Sequence, residues 1–192
     1  MTRAAPRPTV FLDRDGTLNR EVGFVTDPDR LELLPGVPAA VHRLADAGYR
    51  LVVVTNQSGI ARGLYDERTL AAIHERLATL LDHRIEAFLH CPHHPDGGHG
   101  YGGACECRKP APGLLHQAHD LLGCAFQGGW LIGDSARDVL MARGLPLRTV
   151  LVRCGKPVDN ELQKLRAAAC TPDHVVEDLL AAAAIVAPAF AT

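Results

Sequence analysis

Two carboxylates stand two residues apart in the segment "FLDRDGTLN", where Asp13 and Asp15 follow a short apolar run. One such carboxylate could attack an electrophile while the other moves protons. Gly16 would let the backbone turn sharply, so that both carboxylates face one ligand. A calcium loop needs a bidentate Glu at its twelfth position, which here is Phe24. A structural Asx turn is the remaining alternative, and the position after a strand favours a catalytic pair.

A second polar group follows the apolar run "RLVVVTN". Hydroxyl and amide side chains beside a glycine suit hydrogen bonding to phosphate oxygens. An ordinary polar turn before a helix is the alternative, and it is the more common outcome for such a segment taken alone. The polar residues are Thr55, Asn56, Gln57 and Ser58.

Two more charged groups lie near strand or helix ends. Arg108 and Lys109 precede a proline, where a helix can start, and a fixed cation there could neutralise a phosphoryl group. The alternative is a pair of solvated basic side chains without a functional role. Asp134 in "LIGDSARD" ends another apolar run and could share a magnesium ion with Asp13. Asp138 has a simpler explanation, because acids in a first helical turn are stabilising anyway.

Residues 90–110, "HCPHHPDGGHGYGGACECRKP", contain three of the six cysteines. Clustered cysteines in a reducing compartment are more often metal ligands than disulfides. Three thiolates and one imidazole form a closed tetrahedral set typical of structural zinc, which would fold a loop too polar to build its own core. The thiolates would be Cys91, Cys105 and Cys107, and the imidazole His93, His94 or His99; Cys124, Cys154 and Cys170 are expected to be small buried hydrophobes.

Apolar runs of strand length alternate with segments of helical periodicity, which predicts an α/β fold with a parallel sheet wrapped by helices. Chemistry in such folds gathers at the carboxyl ends of the strands. Four strands end in polar residues, namely Asp13, Thr55, His90 and Asp134. Strands are predicted at 9–13, 50–56, 85–90, 128–134, 148–153 and 174–178, and helices at 36–48, 65–84 (with Asp66 as N-cap), 111–123, 135–144 and from 179 onward.

Composition excludes several classes of protein. The 192 residues suffice for one domain with a real core, and 47% hydrophobic and 22% charged residues are typical of a globular protein in water. A net charge of −2 argues against a general binder of nucleic acids or anionic membranes. No secretory signal is recognisable at the N-terminus, and the apolar segment 179–190 is too short for a membrane span and broken by Pro188. A cytoplasmic protein is therefore expected.

The order of these groups carries more information than any one of them. An acid pair, a hydroxyl, a lysine and a further acid, each after a strand-like segment, resemble the four motifs of the haloacid dehalogenase (HAD) superfamily. The matching residues are "DRDGT", Thr55, Lys109 and "GDSARD", and they cover almost the whole chain. The segments "VVVTNQSGIARG", "CPHHP" and "CECRKPAPGLL" are similar to the D-glycero-D-manno-heptose-1,7-bisphosphate 7-phosphatase branch. The related histidinol-phosphatase domain shares the acid motif and a Cys-His zinc loop.

The resemblance implies a three-layer Rossmann-like HAD fold with a central, mostly parallel sheet. Residues 1–192 would form a single phosphatase domain that includes a zinc-binding loop at about 90–108. Many superfamily members carry a separate cap domain, but the two segments where a cap could be inserted, 18–35 and 90–108, are too short for one. An open site is therefore expected, with specificity coming from its loops.

The resemblance also implies residue roles. Asp13 would be the nucleophile that forms an aspartyl phosphate, and Asp15 the general acid and base. Thr55 and Lys109 would hold the transferring oxygens. Mg²⁺ would be bound by Asp13, Asp134 and the backbone carbonyl of Asp15, and structural Zn²⁺ by Cys91, His93, Cys105 and Cys107, leaving His94 outside the ligand set. Substrate contacts would come from Arg14, Glu21, Val22, Gly23, Phe24, Asn56, Gln57, Ser58, Arg108 and Ser135.

The implied reaction is Mg²⁺-dependent removal of the 7-phosphate of D-glycero-D-manno-heptose 1,7-bisphosphate, giving heptose 1-phosphate for nucleotide-activated heptose biosynthesis. Hydrolysis of histidinol phosphate in histidine biosynthesis is the alternative. A zinc-stabilised interaction module without catalysis would need a broken motif, and none is broken. A mutase would have to exclude water, which the lack of a cap argues against. The expected partner is a phosphorylated sugar, with no nucleic acid and no membrane, and the expected state is a monomer.

Overall fold

A computed structural model describes residues 7–188, and within them the strands form one six-stranded sheet. Its order is β3-β2-β1-β4-β5-β6 and every neighbouring pair is parallel, as predicted. The strand order reverses beside β1, which places the carboxyl ends of β1, β2 and β4 next to one another. The strands are β1 (Pro8–Leu12), β2 (Arg50–Asn56), β3 (Ala87–Cys91), β4 (Ala125–Gly133), β5 (Leu147–Val152) and β6 (His174–Val176).

Helices cover both faces of the sheet. Successive residues of β1 point to opposite faces of the sheet. Val10 and Leu12 therefore pack with the helices at 37–46, 67–80 and 179–186, while Phe11 packs with those at 113–122 and 136–141. All three side chains are fully buried. The predicted three-layer α/β fold with a central parallel sheet is thereby confirmed. The helices are α1 (Val37–Asp46), α2 (Glu67–Leu80), α3 (Gly113–Leu122), α4 (Ala136–Met141), α5 (Val158–Ala167) and α6 (Leu179–Val186).

Several predicted boundaries shift, and one helix was missed. Asp66 caps α2 as predicted, accepting a hydrogen bond from the Thr69 N–H at 2.7 Å. The helix ends earlier than expected, at Leu80, because Asp82 and His83 adopt left-handed φ values of 50° and 51°. Helix α5 escaped prediction because six of its ten residues are polar or charged, which leaves only a weak apolar pattern. The terminal helix α6 ends at Val186, and residues 189–190 of the predicted segment lie outside the described residues.

The two segments where a cap could be inserted, 18–35 and 90–108, carry no additional domain, as their length predicted. Residues 18–35 contain one short 3-10 helix, Pro28–Arg30, and the loop that follows β3 contains one isolated β-bridge, between His94 and Gly102. Among the scattered cysteines, Cys124 is fully buried, whereas Cys154 and Cys170 are only partly buried. Within residues 7–188, no helix has the length and apolar character needed to cross a membrane.

Candidate active site

Asp13 lies directly after β1, where its backbone N–H donates to the Ile132 carbonyl of β4 at 2.9 Å. The Lys109 ammonium donates to Asp13 Oδ1 at 2.6 Å, to Asp138 Oδ1 at 2.5 Å and to the Val54 carbonyl at 3.0 Å. Lys109 is therefore a buried cation held between two carboxylates. This geometry fixes one oxygen of Asp13 and leaves Oδ2 without a hydrogen bond within residues 7–188.

Burial dominates the ionisation of this group. It raises the pKa of Asp13 to about 7, although the positive charge of Lys109 opposes the shift. The negative charges of Asp138 and Asp134 raise that pKa further. Burial alone would lower the pKa of Lys109, but the two carboxylates it contacts raise it above its usual value. Lys109 therefore stays positively charged between the two carboxylates.

Asp15 is held from three sides. Arg14 Nη2 lies 2.8 Å from both of its oxygens, and Asn19 Nδ2 and Gln57 Nε2 donate to them at 2.9 Å and 2.8 Å. Burial works against ionisation, yet the charge of Arg14 and these hydrogen bonds lower the pKa of Asp15 below its ordinary value. In the free protein Asp15 is thus a carboxylate with a fixed orientation.

A glycine permits the close approach of the acid motifs. Gly16 has a left-handed φ of 84°, and a Cβ there would lie 2.4 Å from Asp134 Oδ2. Any larger residue would be strained and would collide with Asp134. The predicted sharp turn after the acid pair is confirmed, and it brings the backbone beside Asp134.

The end of β2 positions the lysine loop. Asn56 donates to the Lys109 carbonyl at 3.2 Å and accepts from the Lys109 N–H at 3.0 Å. Thr55 Oγ1 accepts from Gln57 Nε2 at 2.8 Å, and the Gln57 amide oxygen accepts from Tyr65 Oη at 2.6 Å. These bonds fix the hydroxyl and amide groups of the second motif relative to the lysine.

Asp134 is fully buried at the end of β4 and contacts a cation that the sequence analysis missed. Lys156 donates to it through the backbone N–H at 3.1 Å and through Nζ at 2.9 and 3.1 Å. Burial and the nearby Asp138 raise the pKa of Asp134, and Lys156 opposes the rise. Asp138 accepts from the Ser135 N–H at 3.0 Å and from its hydroxyl at 2.6 Å, so it caps α4 as well as holding Lys109.

These groups surround one cavity of about 170 Å³. Its walls come from the carboxyl ends of β1, β2 and β4, from the segment after the acid pair, and from the loops that carry Lys109 and Lys156. Four cations line it beside the carboxylates of Asp13 and Asp15, so it can receive an anion next to those two acids. The lining residues are Asp13, Asp15, Glu21, Gly23, Phe24, Thr55, Asn56, Ser58, Arg108, Lys109, Ser135, Arg137 and Lys156.

The Cys/His loop folds around a second cluster, in which four ligand atoms lie within 4.8 Å of one another. The Sγ atom of Cys91 lies 3.6 Å from that of Cys105 and 2.9 Å from that of Cys107, and the Cys105–Cys107 distance is 3.6 Å. His93 Nδ1 lies 3.8 and 3.4 Å from the sulfurs of Cys91 and Cys107. All three cysteines of the cluster are free of disulfides.

Comparison with known proteins places the chain in a family. A HAD-hydrolase-like family model matches residues 106–182, and a model described as polynucleotide kinase 3 phosphatase matches residues 9–138. The D-glycero-beta-D-manno-heptose-1,7-bisphosphate 7-phosphatase of Yersinia pestis is 42% identical over 159 residues, which span 80% of this chain and 85% of that protein. The protein of the same name from Escherichia coli K12 is 40% identical, over 81% and 84% of the two chains.

Solved structures agree. The D,D-heptose 1,7-bisphosphate phosphatase of B. bronchiseptica, complexed with magnesium and phosphate, superposes with a TM-score of 0.79 at 36% identity, over 93% of this chain and 97% of that one. The protein of the same name from Burkholderia thailandensis gives 0.63 at 33% identity, over 92% and 96%. This chain belongs to the heptose-1,7-bisphosphate 7-phosphatase family of HAD phosphatases. The predicted family is thereby confirmed.

Most residues that the family resemblance assigned to substrate contacts do meet at the cavity, but three side chains lie elsewhere. Arg14 is buried behind Asp15, and Gln57 is buried between Asp15 and Tyr65, so both orient Asp15 rather than line the cavity. Val22 is exposed and lines a neighbouring cavity of about 410 Å³. For Arg14 the reason is geometric, since it alternates with the two aspartates that face the cavity.

Two lining residues were missed, Arg137 and Lys156. Arg137 stands between Asp134 and Asp138 in the "GDSARD" motif, and the sequence analysis gave it no role. Lys156 lies just after β5, in "RCGKP". Four other strand ends had been singled out as candidate site positions, so the same reasoning could have predicted Lys156. Gly155 beside it allows the approach, because a Cβ there would lie 2.1 Å from Asp134 Oδ2.

Both clusters fit the metals expected for this HAD phosphatase. Ligand atoms of Asp13, Asp134 and Asp138 lie within 4.8 Å of one another, and buried carboxylates suit a hard divalent cation. Both oxygens of Asp138 are bonded, to Lys109 and Ser135, and both oxygens of Asp134 contact Lys156. Asp13 Oδ2 is therefore the oxygen of this cluster that has no hydrogen bond within residues 7–188.

The Cys/His cluster has the ligand set of a structural zinc site. Four-coordinate zinc with Zn–S bonds of about 2.3 Å separates its sulfurs by roughly 3.8 Å, close to the two longer distances between Sγ atoms. The imidazoles of His94 and His99, the two alternative ligands, make other contacts. His94 Nε2 contacts Arg62 at 3.0 Å, and the His99 ring lies against Gly63. Within residues 7–188, His93 is the histidine that completes the cluster.

Proposed function

We propose that this chain removes the 7-phosphate of D-glycero-D-manno-heptose 1,7-bisphosphate and releases heptose 1-phosphate for nucleotide-activated heptose biosynthesis. It is a phosphoric monoester hydrolase by family. The observation that carries the proposal is the contact of Lys109 with Asp13 at 2.6 Å, at the base of a cavity that Asp15 also lines. Relatives about 40% identical over most of their length are named for this reaction.

In the first step Asp13 attacks phosphorus through the oxygen that Lys109 does not hold. A new bond forms between that oxygen and phosphorus, while the bond between phosphorus and the sugar oxygen breaks. The product on the protein is an aspartyl phosphate. Lys109, together with the Thr55 hydroxyl, would stabilise the charge on the non-bridging oxygens.

Asp15 would supply the proton that the leaving sugar oxygen needs. In the free protein its pKa is lowered, chiefly by the charge of Arg14 acting against burial. An incoming phosphate brings further negative charge beside this carboxylate, and like charges favour the protonated form. After the sugar alcohol leaves, the Asp15 carboxylate takes a proton from water as that water attacks the aspartyl phosphate. Inorganic phosphate is released and both aspartates return to their starting states.

Magnesium bound by Asp13, Asp134 and the backbone carbonyl of Asp15 would reduce the repulsion between carboxylate and phosphate. The residues themselves support that assignment, because Asp13 and Asp134 are buried and their carboxylate oxygens lie within 4.8 Å of each other. Zinc held by Cys91, His93, Cys105 and Cys107 would be structural, since a closed set of four protein ligands leaves no open position. Its role would be to fix the loop that leads to Arg108 and Lys109.

The remaining substrate contacts follow from the lining of the cavity. Ser58, Asn56 and Ser135 offer hydrogen bonds in the cavity, and Arg108 offers a cation. Glu21, Gly23 and Phe24 also line it, where they can contact the sugar. We propose that the chain acts as a cytoplasmic, single-domain monomer on small phosphorylated sugars. The single continuous sheet supports the one-domain assignment, and size-exclusion chromatography would test the oligomeric state.

A phosphate-release panel tests this function. It compares both anomers of the heptose bisphosphate with histidinol phosphate and with a 3′-phosphorylated oligodeoxynucleotide, which the polynucleotide kinase 3 phosphatase match brings in. We expect the β anomer to give the highest kcat/KM, in line with the names of the relatives. Faster turnover of histidinol phosphate or of the oligonucleotide would refute the assignment.

A further inference from the structure

Two arginines line the 170 Å³ cavity that holds Asp13 and Asp15, which we call the reaction cavity. Neither arginine has a carboxylate partner within residues 7–188. Arg108, partly buried, donates from Nη1 to the His93 carbonyl at 3.1 Å. Arg137, on the first turn of α4, is exposed and makes no ion pair there. Both guanidinium groups line the same cavity, so their like charges repel each other.

The other cations of the cavity are neutralised. Lys109 contacts the carboxylates of Asp13 and Asp138 at 2.6 and 2.5 Å. Lys156 contacts Asp134 at 2.9 Å and Glu21 at 3.5 Å. The excess positive charge of the cavity therefore lies on one side, at Arg108 and Arg137. An anion placed there would relieve the repulsion between the two guanidinium groups.

A second cavity of about 400 Å³ opens on that side. It shares Arg108, Lys109 and Arg137 with the reaction cavity, so the two cavities adjoin at these residues. Its far wall comes from the Cys/His loop, through Pro95 and the backbone at Gly103. A Cβ on Gly103 would meet nothing within 4 Å, which leaves this wall open to a ligand.

We propose that Arg137 and Arg108 together form a binding site for the phosphate that is not transferred, so that Arg137 selects bisphosphates over monophosphates. The site rests on the proposed function in that it assumes a phosphorylated sugar with a second anionic group. When one phosphate lies beside Lys109, the other end of the sugar extends past the arginines into the second cavity. Two planar guanidinium forks suit the oxygens of a phosphate dianion.

The test uses the full chain with magnesium and zinc, and compares Arg137→Ala and Arg137→Glu with Arg76→Ala. Arg76 is an exposed arginine on α2 without an ion pair in the described residues, so its removal changes the net charge equally. The readout is the ratio of kcat/KM for the heptose bisphosphate to kcat/KM for para-nitrophenyl phosphate. We expect this ratio to fall about tenfold or more in Arg137→Ala, because charge-assisted contacts are lost, and further in Arg137→Glu.

A second measurement does not depend on the natural substrate. Fructose 1,6-bisphosphate and fructose 6-phosphate are compared as inhibitors of para-nitrophenyl phosphate hydrolysis. The wild-type protein should bind the bisphosphate more tightly, and Arg137→Ala should lose most of that advantage while Arg76→Ala keeps it. An unchanged ratio of inhibition constants in Arg137→Ala, or no preference in the wild type, would overturn the anion site. Failure of the proposed function would appear separately, as no turnover of the heptose bisphosphate by the wild type.

Discussion

The Nζ atom of Lys156 lies 2.9 and 3.1 Å from the two carboxylate oxygens of Asp134, and its backbone N–H donates to the same group at 3.1 Å. The lysine thus supplies the counter-charge of a fully buried acid that we propose as a magnesium ligand. Charge balance requires such a cation when no metal is bound, since an unpaired buried carboxylate is costly. Lys156 and Mg²⁺ would therefore compete for the same oxygens.

Replacing Lys156 by Met should increase the dependence of thermal stability on magnesium. Removing one partner of a buried pair costs about 3 kcal/mol, so the metal-free variant should melt at a lower temperature. Mg²⁺ would then bind without competition and should raise Tm more than it does in the wild type. Differential scanning calorimetry with and without MgCl₂ measures both effects. Arg166→Met removes an exposed cation from α5 that makes no ion pair within residues 7–188, and it is the control. An equal or smaller Mg²⁺-induced rise in Lys156→Met would contradict the competition.

Asp13→Asn should abolish turnover while the fold persists. An amide cannot form the aspartyl phosphate, so kcat should fall at least about 1000-fold. The stability cost should be small, because burial already raises the pKa of Asp13 to about 7 and Lys109 keeps its contact with Asp138 at 2.5 Å. Phosphate release and near-UV circular dichroism give the two readouts, with Asp120→Asn on the exposed side of α3 as the control. Substantial residual activity would rule out Asp13 as the nucleophile.

The sequence predicted the strand-end groups because their position needs little tertiary knowledge. Asp13, Thr55 and Asp134 each end an apolar run, and parallel strands bring such ends together. The cysteines of the zinc-type cluster were equally visible, being close in sequence. Choosing among three histidines needed the resemblance, and in the structure His93 is the one that joins the cluster.

The residues missed or misplaced depend on chain geometry that no local pattern records. Lys156 reaches Asp134 only because the loop after β5 turns toward the carboxyl end of β4. Arg137 became visible as a site residue only with the shape of the cavity. Arg14 and Gln57 neighbour true lining residues in sequence, but their side chains point behind Asp15. Direction at a turn follows from backbone dihedrals, which composition and spacing do not fix.

His74 should make the protein less stable in mild acid. Burial lowers its pKa from 6.5 to about 3, with smaller contributions from the charges of Arg14 and His90, while Asp15 acts in the opposite direction. Between these two values the unfolded chain binds a proton that the folded protein does not, so the free energy of unfolding falls as pH drops below 6.5. The loss is about 1.4 kcal/mol per pH unit.

His74→Leu should remove this part of the pH dependence. Urea unfolding at pH 7 and pH 5.5 measures it, with His116→Gln, an exposed histidine on α3, as the control. The wild type and the control should lose about 1.4 kcal/mol more than His74→Leu between the two pH values. An identical loss in all three proteins would show that His74 is protonated in the fold.

Loss of the proposed zinc should weaken substrate binding before it affects the chemistry. The connection runs through Arg108, which donates to the carbonyl of the ligand His93 at 3.1 Å, whereas Lys109 is held separately by Asn56. In Cys105→Ser the loop should lose order, KM should rise about tenfold through the lost arginine contact, and kcat should change far less. Steady-state kinetics and metal analysis by mass spectrometry give the readouts, and Cys170→Ser, outside the cluster, is the matched control. A collapse of kcat at constant KM would instead place the metal in the reaction itself, and wild-type protein that binds no zinc would remove the site altogether.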